Sequence, residues 1–201
     1  MGEISVILIA CQVCHIEDER ALGATMIRPI TQIKDELADR EAIRDCLFRY
    51  ARAIDRSDAD LLRTVYWPDA IDHHLDFTGT VEELIKWVLP KLRGITHMHF
   101  MTNILIELDG AKAAVECYYH YGAFGIQGGA AARDSITGGR YLDRFERRND
   151  EWRIAERMVM TDWFREYPDS GDWSVGPFGM PNIPRGGVHP QDHSYSWLGL
   201  R

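Results

Sequence analysis

The sequence predicts an α+β fold, with helices first and then the long strands of one strongly curved antiparallel sheet. Three observations carry that expectation. Up to about residue 92, apolar residues recur at spacings of three and four, the period of a helix face. From His97 the period changes to two, the period of a strand. Two turn signals, Asp109-Gly110 and Asn149-Asp150, then divide the second half into hairpins. Helices followed by a meander of strands place the helices on one face of the sheet. Such a cone has an apolar interior, which suits a small-molecule site.

The elements follow in order. Residues 35–56 carry Ile43, Cys46, Leu47, Tyr50, Ala51 and Ile54 on one stripe of a long helix, with Asp and Glu in its first turn. Asp58 caps a second, short helix through Leu61, Leu62 and Val65, and Pro68-Asp69 breaks it. Residues 70–75 suit a short strand. Thr80-Val81-Glu82-Glu83 is a capping box for a third helix with Leu84, Ile85, Val88 and Leu92 inward, which Pro90 kinks or shortens. Residues 97–108, 111–124, 135–148 and 151–165 read as four strands, with a Gly/Ala-rich loop at 125–134. From Pro168 on, Gly, Pro, Asp and Ser surround scattered aromatics, an irregular tail. The expected division is a flexible or non-native segment at 1–27, a domain at 28–166 and a tail at 167–201.

Composition narrows the function. At 201 residues, 45% hydrophobic and 27% charged, the chain can bury a core without metal or disulfide staples. A net charge of −8 argues against nucleic acid or an anionic membrane as partner. No apolar run approaches the ~18 residues of a transmembrane helix. Cys46 and Cys117 sit in apolar stretches and read as core residues, which favours a reducing, cytoplasmic location. Near the start, Cys11-Gln12-Val13-Cys14-His15 spells a haem-attachment pattern, and Leu8-Ile9-Ala10-Cys11 resembles a lipoprotein box. Both require export, and Met1-Gly2-Glu3 lacks the basic segment that export uses. Val6 breaks the myristoylation pattern. A redox role for the cysteine pair lacks a strand–helix context. The working protein is expected to start near Met26.

Several residues could carry chemistry. Asp55 ends the first helix beside an apolar stripe, an odd place for an acid unless it serves a site or a turn. Tyr50, five residues earlier, borders the same space. His97-Met98-His99 puts two imidazoles on one strand face and Met98 and Phe100 on the other. That pattern invites zinc with His73 or His74, but no further ligand completes a motif, so no metal is expected. On the next strand Tyr118 and His120 alternate with Tyr119 and Tyr121; periodicity alone leaves open which pair faces inward. Arg157 shares a face with Ala155 and Val159 and, if buried, needs an anion. Trp67, Trp87, Phe100, Tyr119 and Phe124 offer walls for an apolar, ring-shaped substrate, or core packing.

The chain resembles the SnoaL-like branch of the nuclear transport factor 2-like (NTF2-like) superfamily over residues 35–165. The matching pieces are residues 40–45, Tyr50 with Ile54-Asp55, residues 99–103, Gly138-Gly139-Arg140-Tyr141 and residues 145–154. The Asp55/His99 pair looks like the catalytic dyad of scytalone dehydratase, hexachlorocyclohexane dehydrochlorinase and bile-acid 7α-dehydratase. Arg157 falls where the dehydrochlorinase has a catalytic arginine. Its catalytic lysine is replaced by Tyr50, as in the bile-acid dehydratase. The resemblance implies an NTF2-like cone and a lyase of dehydratase type acting on a small apolar cyclic substrate. It needs no cofactor. His99 would be the base, Asp55 its orienting partner, Tyr50 a hydrogen-bond donor and Arg157 a holder of an anionic group, with Tyr118 or His120 assisting as acid. It also implies a homo-oligomer, a trimer favoured. A ketosteroid-isomerase-like isomerase and a non-catalytic pocket for hydrophobic ligands remain the alternative outcomes on this scaffold.

Overall fold

The computed structural model describes residues 29–127, 132–169, 171–172, 174, 176–180 and 183–199. The cysteine motif at 11–15 and the segment 1–27 lie outside the described residues, as does the middle of the Gly/Ala-rich loop.

Helix α1 spans Ile30–Asp55. It begins five residues before the expected start, directly after Pro29, so the acidic first turn expected at residue 35 lies inside the helix. Nothing between Pro29 and Asp35 breaks a helix, and a proline needs no hydrogen-bond partner at a helix start. Its buried stripe is Ile43, Cys46, Leu47, Tyr50, Ala51, Ala53 and Ile54. Helix α2, Ala59–Arg63, is capped by Asp58, whose Oδ1 accepts from the Leu61 N–H at 2.9 Å. Strand β1, Tyr66–His74, runs through Pro68-Asp69 rather than starting after it. The ladder slips there, between Tyr66 and Ile71, so the proline's missing donor falls where no ladder bond is due. A short β2, Phe77–Gly79, pairs back on β1. Helix α3, Val81–Leu92, opens on the capping box, with the Glu83 carboxylate accepting from both the N–H and the hydroxyl of Thr80 at 2.8 Å. It passes over Pro90 and ends two residues later.

The four long strands are β3 Thr96–Asp109, β4 Lys112–Ile126, β5 Arg133–Arg148 and β6 Glu151–Pro168. They form an antiparallel meander. The turns use positive φ at Gly110 (59°), Asn149 (51°) and Asp150 (62°), as hairpin turns require. The sheet order is β2-β1-β6-β5-β4-β3, and β1 joins β6 in parallel, the one departure from an all-antiparallel sheet. Bulges after Thr102, at Gly138/Gly139 and at Arg144/Phe145 bend the long strands. Gly139 has no alternative: a Cβ there would lie 1.9 Å from the Met160 carbonyl oxygen and 2.8 Å from the Tyr119 hydroxyl.

The curved sheet wraps around α1 and α3, which is the NTF2-like cone. Its core joins the α1 stripe to Tyr66, Ile106, Val115, Tyr141, Phe145, Trp152 and Ile154. Cys46 and Cys117 are free thiols in that core, pushed by burial up to about 11 and about 12. Beyond β6 the chain makes a 3-10 turn at Gly176–Gly179 and a helix α4, His193–Leu198, resting on the end of α1. No described helix is long and apolar enough to cross a membrane.

Candidate active site

The mouth of the cone holds a cavity of about 440 Å³ between α1, α3 and the inner sheet face. That volume suits a small organic ligand. Six aromatic rings contribute to its wall: Tyr50 from α1, Trp87 from α3, Tyr119 and Tyr121 from β4, Tyr141 from β5 and Phe164 from β6.

Asp55 and His99 meet at this wall. The His99 Nδ1–H donates to Asp55 Oδ1 at 2.7 Å, and the His99 backbone N–H donates to Asp55 Oδ2 at 3.0 Å. Both carboxylate oxygens are therefore fixed by one residue, which sets ring tautomer and orientation. Nε2 is left for a ligand. The side chains are 7% and 10% exposed, and of the two His99 lines the cavity, with Asp55 behind it. Burial pulls the His99 pKa below its ordinary 6.5, and the Asp55 carboxylate opposes the fall. At neutral pH the imidazole is a free base.

Two tyrosines flank the histidine, and a third, Tyr119, lines the same cavity. The Tyr121 ring lies 4.6 Å from that of His99 and the Tyr50 ring 6.2 Å, edge-on. Burial and the Asp55 charge push the Tyr121 hydroxyl up to about 12, and burial raises Tyr50 and Tyr119 as well. All three stay protonated donors. Tyr119 stacks on Tyr141 with centroids 4.6 Å apart.

Arg157 does not reach out to hold a ligand. It is fully buried, and its Nε and Nη2 donate to the two oxygens of Asp143 at 2.7 Å each. The guanidinium lies 4.1 Å from the ring centres of both Tyr50 and Tyr141. Burial disfavours its charge, but Asp143, together with the surrounding Tyr66 and Tyr50, holds the guanidinium well above its ordinary value and keeps it protonated. The anion it needs is the residue directly across the β5–β6 ladder, a pairing invisible in the linear sequence. Arg157 thus lies behind the tyrosines that line the cavity.

The inward residues of β4 are Tyr119 and Tyr121, which puts Tyr118 and His120 on the outer face. Tyr118 is 41% exposed, and His120 packs edge-on against Trp163 at 4.9 Å. Phe100 and Phe124 are exposed on that same outer face, the latter against Gly122. Trp67 is buried elsewhere, donating to the Glu146 carbonyl at 3.0 Å beneath Arg148 and Arg153. None of these five residues lines the cavity: Trp67 is on β1 away from it, and the other four miss it because a strand's side chains alternate and β3 and β4 present odd-numbered residues inward here. Trp87 and Tyr119 do line it.

The other histidines divide. His97 shares the inner face with His99, but its nitrogens lie 2.8 and 3.2 Å from the carbonyl oxygens of Ile95 and Ile54. Those contacts occupy it as a structural residue. His74, at the end of β1, lines the cavity and lies 5.7 Å from Trp87. Its buried Nδ1 makes no hydrogen bond and stands 3.6 Å from the Asp72 carboxylate. Lys91 reaches over the Trp87 ring at 3.6 Å, the one formally charged lysine or arginine among the lining residues. Sequence reasoning overlooked Lys91 and weighed His74 only as a metal ligand. A helix register carried from Trp87 to Lys91, four residues on, could have found the lysine.

The SnoaL-like domain profile matches residues 35–158. The curated relative "Terrestric acid biosynthesis cluster protein E" of Penicillium crustosum is 29% identical over 150 residues, 69% of this chain and 90% of that one. Among solved structures, a hexachlorocyclohexane dehydrochlorinase, LinA-type3 of Novosphingobium barchaimii, superposes with a TM-score of 0.60 at 20% identity. That likeness covers 72% of this chain and 99% of the other. The Kfla4162 protein of Kribbella flavida superposes with a TM-score of 0.57 at 16% identity, covering 65% and 95%. At these identities the structures show a shared fold.

Proposed function

This chain belongs to the SnoaL-like domain family, and from that premise we propose that it is a lyase of dehydratase type acting on a small apolar cyclic substrate. The observation that carries the reading is the Asp55–His99 pair, joined at 2.7 Å and bordering an aromatic cavity. A neutral imidazole whose Nδ1–H is held by a carboxylate is a general base at Nε2. In the proposed step Nε2 takes a proton from a carbon next to a carbonyl. The electron pair forms a carbon–carbon double bond as the neighbouring carbon–oxygen bond breaks. The hydroxyl leaves as water, taking its proton from the imidazolium of His99, which is thereby restored as the base. Tyr50 and Tyr121 donate hydrogen bonds where negative charge develops on the carbonyl oxygen. Asp55 stabilises the imidazolium, and Arg157 acts through Tyr50 and Tyr141. Lys91 favours a substrate with anionic character at the mouth. No organic cofactor or metal takes part in this scheme. The Penicillium relative is named for a terrestric acid biosynthesis cluster, which is in keeping with an enzymatic role.

The same reading treats 28–166 as the catalytic domain and the protein as cytoplasmic. The outer sheet face, with Met98, Phe100, Tyr118 and Met158 exposed, is where copies would meet in a homotrimer.

The test has two stages. NMR titration of the histidines, with and without Asp55→Asn, should show a His99 pKa that falls when the carboxylate is neutralised. A screen of cyclic β-hydroxy ketones should then show loss of water, lowered about 10²–10⁴-fold by His99→Ala and by Asp55→Asn. A skeleton of unchanged mass that takes up solvent deuterium would make the reaction an isomerisation. A His99 pKa indifferent to Asp55 would overturn the mechanism in favour of a binding pocket.

A further inference from the structure

The chain beyond β6 returns to the end of α1 and grips the residues on both sides of Asp55. The His189 N–H donates to the carbonyl oxygen of Arg56, the next residue after Asp55, at 2.6 Å. Asp192, 6% exposed, accepts from the N–H groups of Gly187 at 2.7 Å and Ser194 at 3.0 Å and from the Ser194 hydroxyl. Its other neighbour is the Arg56 guanidinium at 3.3 Å. The Tyr195 hydroxyl donates to Asp58 Oδ2 at 2.8 Å, while Asp58 Oδ1 caps α2. Arg52 reaches the Ser194 hydroxyl at 3.1 Å and lies 4.5 Å over the Tyr195 ring.

Asp55 needs such support. It is the last residue of α1, where carbonyl groups lose their intrahelical partners and helices fray. The turn that follows is tight, with Ser57 at a φ of 52° and the Asp58 N–H bonded back to Ala53. A free helix end would let the carboxylate swing relative to His99, and a small misplacement of a catalytic pair is costly. The SnoaL-like match ends at residue 158, so these contacts come from a segment the family match does not include.

We propose that residues 187–195 form a positioning strap that fixes the Asp55 carboxylate against His99, with Asp192 and Tyr195 as its two anchoring residues. This rests on the dyad reading above. Neither anchor touches the cavity, so both act through α1. The loss of either would leave the aromatic walls in place and loosen the pair.

The experiment uses the full chain with Asp192→Ala, Tyr195→Phe and the reference variant Asp55→Asn. Two readouts are taken: amide exchange at residues 55–58 and the His99 pKa by NMR. In the strap variants, exchange at 55–58 should speed up about tenfold while β4 and β5 amides keep their protection. His99 should titrate lower than in the parent, moving in the direction of Asp55→Asn but less far. Turnover, once a substrate is in hand, should fall in kcat with KM little changed. Faster exchange with an unmoved His99 would overturn the positioning role and leave a merely structural tail. Unchanged exchange would overturn the strap itself. If Asp192→Ala fails to fold, Tyr195→Phe, which removes one hydroxyl, decides the matter alone. An unmoved His99 in Asp55→Asn is a different failure: it removes the dyad, and the strap's purpose with it.

Discussion

Two acid–base pairs stand on either side of Tyr50 and could hardly differ more in surroundings. Asp143–Arg157 is sealed, with both side chains at 0% exposure and a bidentate contact of 2.7 Å. Asp55–His99 has a contact equally short, but its two side chains keep 7% and 10% exposure, and His99 lines the cavity. The sealed pair has its charges matched within the chain, and neither residue lines the cavity. The open pair keeps one nitrogen uncommitted, and its histidine is held neutral by burial. Pair distance therefore says little about role. What the second atom of each group faces says more.

Three experiments press on that contrast, from the largest expected effect to the smallest. Arg157→Met leaves Asp143 buried without a cation and removes the plate between Tyr50 and Tyr141. It should cost about 3–5 kcal/mol in chemical denaturation, the scale for breaking a buried pair from one side. His99→Ala, lining a cavity already open, should cost far less. Equal losses in the two variants would erase the distinction.

The second is pH dependence. With His99 depressed below 6.5, turnover should hold through neutrality and fall only on an acid limb below that value. Stability follows the same sign. Below 6.5 the unfolded chain takes up a proton at His99 before the native state does, so stability drops as pH falls through that window and is restored as pH rises. A limb at or above 6.5 would show that Asp55 outweighs burial. The third is Lys91→Met, which keeps the stem over Trp87 and removes the charge. Binding of 2-naphthoate, followed through the His99 resonance, should weaken about fivefold, and that of neutral 2-naphthamide should hold. Equal weakening of the two would assign Lys91 to packing alone.

Much of this architecture was readable from local pattern. The change of period near residue 97, the Asp58 cap, the Thr80–Glu83 box and both hairpin turns each lie within a few residues of chain, and each formed as read. Early helix initiation at Ile30 and the passage of β1 through Pro68 were missed, because propensity sets helix boundaries weakly and a bulge hides a proline from the ladder. Of the candidate residues, Tyr50, Trp87, His99 and Tyr119 line the cavity, with Asp55 behind His99. Phe100, Tyr118, His120 and Phe124 are on the wrong side of the same strands, a one-residue difference in parity that flips every side chain.

What the sequence determined by itself is the set of elements and the identity of the Asp55–His99 candidates, since short-range periodicity and turn chemistry are written in neighbouring residues. What only the tertiary structure decided is which partners meet across distance. Arg157 met Asp143 rather than a ligand, His74 and Lys91 came to the cavity wall, and Asp192 and Tyr195 returned to brace the end of α1. Strand register and chain return fix those contacts. Each depends on the sum of many weak burial terms over the whole chain rather than on any local signal.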